Sequence, residues 1–145
     1  MSELNDQGEA EEANDDDLAS PTQLNPDSIN ADPKSTALMN EVDAWISHVW
    51  MVRAFLKHCD EATDDEELAD VHRGLYDFML ALGPSLDSGD ARRYLRIARK
   101  KIGKLKAAAG AFREIQPEVS GHMNFRMAAK SLMLAVQRID ELLQD

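Results

Sequence analysis

Between Gly89 and Ile115, apolar or small residues recur at Ala91, Tyr94, Ala98, Ile102, Leu105, Ala109 and Phe112, in steps that alternate three and four. An α-helix gathers that spacing onto one side. The remaining surface of the same stretch carries Arg92, Arg93, Arg96, Arg99, Lys100, Lys101, Lys104, Lys106 and Arg113, nine of the chain's 16 lysines and arginines. A helix divided in this way puts one face into a core and leaves a strongly basic face outside.

The same stepping recurs elsewhere. Leu38, Val42, Trp45, Val49, Val52, Leu56 and Cys59 predict a helix near 34–60, opened by Asp32 ahead of Pro33, or by Ser35 or Thr36. Leu68, Val71, Leu75, Phe78 and Leu82 predict a second near 64–82. Thr63-Asp64-Asp65-Glu66 reads as its capping box, and Gly83-Pro84 as its stop. A polar turn from Ser85 to Gly89 follows, with Asp87 or Ser88 as the next cap. The basic helix then covers 89–115, ended by Gln116-Pro117. Phe125, Ala128, Leu132, Ala135, Ile139 and Leu142 predict the last helix near 123–143. Links this short force neighbouring helices to run antiparallel. The expected fold is therefore all-α, an antiparallel up-down four-helix bundle over residues 32–145. Period-two runs and Asn-Gly or Asp-Gly hairpin signals are absent from the sequence.

The net charge of -11 is unevenly placed. Residues 1–37 hold ten acids and one base, Lys34, whereas residues 38–145 hold 17 acids and 15 bases. Within residues 1–31 the aliphatics Leu4, Leu18, Leu24 and Ile29 show no period, so this segment is expected to be a disordered acidic tail. Its acidity and lack of an apolar run argue against a secretory signal. Cys59 is the one cysteine, which excludes an intrachain disulfide. No stretch approaches the roughly 18 apolar residues of a membrane span. A cytoplasmic protein with no membrane association is the expectation.

Two surfaces invite partners. Arg92, Arg93, Arg96, Arg99, Lys100 and Lys104 form a candidate anion-binding face, with no acid between Asp90 and Glu114 to offset it. Nucleic acid fits such a face through phosphate neutralisation. Its aromatics, Tyr94 and Phe112, lie on the core stripe, which argues against base stacking on single strands. Gly103 and Gly110, on the outer flank, would let a backbone or strand approach closely. Internal acids compete for the same role: Asp60 to Asp70 holds seven, and the N-terminal segment more. An acidic tail laid over the basic helix would act as a competitor for any anionic partner. The second surface is apolar. Stepping ~100° per residue places Trp50 and Met51 off the first stripe, Ile46 at its edge, and Met127 and Leu134 on the far side of the fourth. Helices one and four are neighbours in an up-down bundle, so these five residues are expected to form a contact patch for a protein partner or a second copy.

Evidence for catalysis is thin. His48, His58, His72 and His122 are scattered, and none follows a carboxylate at the Glu-x-x-His spacing of bundle metal sites. No metal or cofactor is expected. Gly-rich phosphate loops, nucleophile elbows and zinc-finger spacings do not occur. Cys59 lacks a neighbouring histidine placed to activate it and reads as structural. One short segment, Arg53-Ala-Phe-Leu-Lys-His58, resembles the R-x4-6-H motif of HEPN domains, helical bundles that often act as dimeric ribonucleases. That resemblance covers six residues. It implies His58 as a general acid/base and Arg53 as a phosphate stabiliser, at a dimer interface. The reading the residues favour is a non-enzymatic bundle that works by association. The HEPN-like RNA-binding or RNA-cleaving bundle and a structural subunit of a homo-oligomer are its alternatives.

Overall fold

The computed structural model describes residues 32–62 and 64–144, so the expected tail over residues 1–31 and the capping role of Thr63 lie outside the described residues. Helices α1 (Pro33–His58), α2 (Glu66–Ser88), α3 (Ala91–Val119) and α4 (Met123–Leu143) follow one another, with a 3-10 turn at Asp60–Ala62. No strand occurs among the described residues. Each of the four α-helices begins at a side-chain cap. Asp32 accepts from the Lys34 amide with Pro33 in the first turn. Asp65 serves the Leu68 amide at 3.0 Å, and Asp90, rather than Asp87 or Ser88, serves Arg93 at 3.1 Å. His122 caps α4 through Nδ1, which accepts from Asn124 at 3.0 Å.

Two expected stops do not stop their helices. α2 runs through Gly83-Pro84 to Ser88, and α3 runs through Gln116-Pro117 to Val119. A proline inside a helix removes one hydrogen bond and crowds the carbonyl four residues back. Pro84 and Pro117 are both exposed, as are Leu80 and Arg113 at those earlier positions. On such a face the freed carbonyls can turn to water. Beyond the prolines, Ser85 and Leu86 in α2 and Val119 in α3 pack on the core and hold the extra turn in place. The true end of α2 is Gly89, with φ 72. Its amide donates to Leu86 and the Asp90 amide to Ser85, the paired bonds of a Schellman ending. α3 closes when the Ser120 amide returns to the Gln116 carbonyl while Gln116 Nε2 donates to Ser120 O at 2.8 Å.

The cross-helix contacts give the topology. Glu41 meets Arg138, His48 meets Ser131 and Phe55 meets Phe125, so α1 and α4 run antiparallel. Arg99 and Lys106 of α3 reach Leu143 and Asp140 of α4 in the same opposed sense. Arg53 meets His72, and Gly74 stands against Ala108, fixing the α1–α2 and α2–α3 pairs. The result is the up-down bundle expected from the short links.

The stripes of α2 and α3 enter the core nearly as read, with Leu68, Leu75, Tyr94, Leu105 and Phe112 fully buried. α1 differs. Its buried arc is wider than one stripe and includes Met39, Ile46 and Arg53. In α4 the inward residues are Ala129, Val136 and Leu143 in addition to Phe125, Leu132, Ala135 and Ile139, with Ala128 and Leu142 only partly buried. Each large apolar side chain removed from water contributes about 1.5–3 kcal/mol. Among the described residues no helix is long and apolar enough to cross a membrane.

Candidate interaction surfaces

Six bases of α3 form the first surface. Arg92, Arg93, Arg96, Lys100 and Lys104 are exposed and Lys101 half-buried. Among the described residues none of the six has a carboxylate at ion-pairing distance. The bases on the α4 flank are engaged: Lys106 Nζ lies 3.1 Å from Asp140, and Arg99 Nε donates to the Leu143 carbonyl at 2.9 Å. Arg99 thus belongs partly to the α3–α4 seam, where it satisfies a C-terminal carbonyl of α4. On the α2 flank, Glu67 and Asp70 line one groove with Lys104, and Asp77 lines another with Lys101 and Lys104. Those acids lie close enough to temper the two lysines but form no ion pair with them; Asp70 instead pairs with Arg73 of its own helix. Arg92, Arg96 and Lys100, stepped by four, keep the outermost face. Arg92 also stands in the first turn of α3, where the helix's own partial charge is positive. Asp90, the cap, is the acid at that end of α3.

Gly103 and Gly110 face open space: a Cβ at either would meet nothing within 4 Å. The glycine that a close approach requires is Gly74, where a Cβ would lie 3.2 Å from that of Ala108. Gly74, Ala107, Ala108 and Ala111 floor the α2–α3 groove.

The expected apolar patch is divided. Ile46 is 8% exposed and belongs to the core, a correction that follows from the wider buried arc of α1. Trp50 turns toward α2 rather than α4, its ring 4.2 Å from the Arg53 guanidinium carbon. Met51, Met127 and Leu134 do face outward, at 65%, 47% and 55% exposure. The His48–Ser131 and Phe55–Phe125 pairs set Met51 and Met127 at matching heights on α1 and α4.

Arg53 was singled out by its spacing to His58, but the structure gives it other company. Only 8% of it is exposed. Its guanidinium carbon lies 5.1 Å from the Tyr76 ring, and Nη1 is 3.4 Å from His72 Nε2. His72 stacks on Tyr76 at an interplanar angle of 8°. Nε of Arg53 is buried without a partner among the described residues. Desolvation first, then the charges of Arg53, Lys57 and Arg73, hold the His72 imidazole below its ordinary value. His58, exposed at the last turn of α1, makes no contact with Arg53. The one sequence signal for this cluster was the place of Arg53 between Val49 and Leu56 on the core side of α1, a position that ordinarily holds an apolar residue.

The other histidines are local struts. His48 lies 3.5 Å from the Ser131 hydroxyl and beside the Trp45 ring, and His122 is the α4 cap. Cys59 Sγ donates to the Leu56 carbonyl at 3.4 Å. Among the described residues no three His, Cys, Asp or Glu side chains converge as metal ligands. No family model, curated protein or solved structure matches this chain.

Proposed function

We propose that this bundle works by association, holding a polyanionic partner on the outer face of α3 through Arg92, Arg93, Arg96, Lys100 and Lys104. One observation carries the reading: these bases line the N-terminal half of α3 with no carboxylate at ion-pairing distance among the described residues, while Arg99 and Lys106 on the α4 flank are tied to α4. Like charges at steps of four repel one another on an isolated helix, and an external anion relieves that repulsion. Forked arginine donors suit phosphate oxygens, and the helical stepping spaces Arg92, Arg96 and Lys100 at about 6 Å along the axis. No aromatic shares the stripe, so duplex or backbone recognition fits better than stacking on single strands.

The N-terminal segment bears on the same face. Chain 1–31 carries nine acids and no base. It joins the fold at Asp32, beside a cleft that Lys34, Leu38 and Glu41 of α1 share with Leu95 and Arg99 of α3. A tethered acidic segment competes with an external polyanion at high effective concentration.

Binding of labelled duplex DNA and RNA across a salt series tests the proposal. Affinity should fall steeply with salt, by a log–log slope near -0.9 for each phosphate neutralised on duplex DNA. The triple variant Arg92→Gln, Arg96→Gln, Lys100→Gln should bind more weakly and with a shallower slope. A chain lacking residues 1–31 should bind more tightly at low salt. Salt-independent binding, or none with either chain, would overturn the reading for nucleic acid.

A further inference from the structure

We propose that the α1–α2 seam is a docking site for an acidic peptide segment, whose carboxylate is taken by the Arg53 guanidinium beside the half-exposed rings of Trp50 and Tyr76. A guanidinium offers five N–H donors and no acceptor. Within the described chain Arg53 meets one hydrogen-bonding neighbour, His72 Nε2, at a long 3.4 Å, and its buried Nε has none. No carboxylate lies at ion-pairing distance. The Trp50 and Tyr76 rings offset part of the cost of a charge only 8% exposed, but they leave its N–H donors without a carboxylate. Lys57 of α1 is a further base near His72, whereas Arg73 is paired with Asp70 of its own helix.

The surroundings of that charge select the partner class. Trp50 is 46% exposed and Tyr76 38%. Tryptophan, tyrosine and arginine are the residue types that dominate interface energetics, above all where a charged pair is closed off from water. One recessed guanidinium between two half-exposed aromatic rings suits one carboxylate on an apolar segment, held by forked charge-assisted bonds. A nucleic-acid backbone asks for an array of exposed bases, which α3 offers and this seam does not. The site is separate from the α3 stripe, and either proposal can fail without the other.

A random peptide library displayed on phage and selected on the full chain is the test. Enriched sequences should pair Asp or Glu with an adjacent aliphatic or aromatic residue. Synthetic copies with the acid changed to its amide should bind roughly tenfold more weakly or worse, as loss of a charge-assisted bond implies. Arg53→Met should cause the same loss, whereas the α3 triple variant should bind as the native chain does. Should Arg53→Met fail to give the native circular dichroism spectrum, Trp50→Ala provides the same readout from a half-exposed ring. Selection without acid enrichment, binding indifferent to these α1 substitutions, or binding lost with the α3 bases would overturn the proposal. So would an absence of enriched sequences.

Discussion

Tyr94, wholly buried at the start of α3, donates its hydroxyl to Asp43 Oδ1 on α1 at 3.4 Å, linking the two helices that lie diagonally across the bundle. Burial raises the Asp43 carboxyl above its ordinary value, and the bond from Tyr94 offsets part of that rise. Burial, the Asp43 charge and the shared hydrogen bond in turn push the Tyr94 phenol well up. Tyr94→Phe removes the bond and leaves a half-buried carboxylate without it. We expect a loss of about 0.5–1.5 kcal/mol in urea unfolding at neutral pH. The loss should shrink below the Asp43 titration, where the carboxyl is neutral. Above the ordinary tyrosine value of 10.0, unfolded chains lose the phenolic proton first, so native stability should fall with rising pH and Tyr94→Phe should flatten that fall.

His72 gives the acid limb a testable sign. Its folded value lies below the ordinary 6.5, so in the window just under 6.5 the unfolded chain binds the extra proton. Stability from this group is complete above 6.5 and declines as pH drops through that window. His72→Gln should remove the decline, seen as a flatter plot of unfolding free energy between neutral pH and the carboxylate range. The opposite slope would mean that burial and the neighbouring bases do not govern the ring.

Gly74 should tolerate little. Leucine at that position would push α2 from α3 at the Ala108 contact and cost about 1–3 kcal/mol by overpacking. Gly103→Ala and Gly110→Ala face open space and should each stabilise the fold by roughly 0.5–1 kcal/mol through helix propensity. Thermal unfolding of the three single variants checks the ranking.

The Ser85 hydroxyl is 1% exposed and has no hydrogen-bond partner among the described residues. Ser85→Ala should therefore raise stability, by about 1 kcal/mol or somewhat more. Pro84→Ala, next to it, restores an amide to the exposed face of α2. A gain of about 1–3 kcal/mol is expected, reduced by the wider freedom of the unfolded chain. Chemical denaturation of each variant and of the pair gives the test; the two sites are adjacent and are not expected to add.

The basic face was legible in the sequence because exposure on a long amphipathic helix follows from spacing alone. Arg92, Arg96 and Lys100 lie outside wherever Tyr94, Ala98 and Leu105 lie inside. The Arg53 cluster was not legible. A single arginine on the core side of a stripe says nothing of its company, and Trp50, His72 and Tyr76 come from two helices whose rotation about their axes is a tertiary matter. The same rotation divided the apolar patch, sending Ile46 into the core and Trp50 toward α2 while Met51, Met127 and Leu134 stayed outside.

What the sequence determined by itself was the periodicity: four helices, their order, the cap at Asp32, and an antiparallel path enforced by short links. These are local properties, decided by side-chain spacing and backbone preference within a few residues. Tertiary structure decided where packing outweighs local preference. It carried α2 and α3 past Pro84 and Pro117, because core contacts beyond each proline outweigh one lost hydrogen bond on a wet face. It also widened the buried arc of α1, and so buried an arginine with no acid at ion-pairing distance among the described residues.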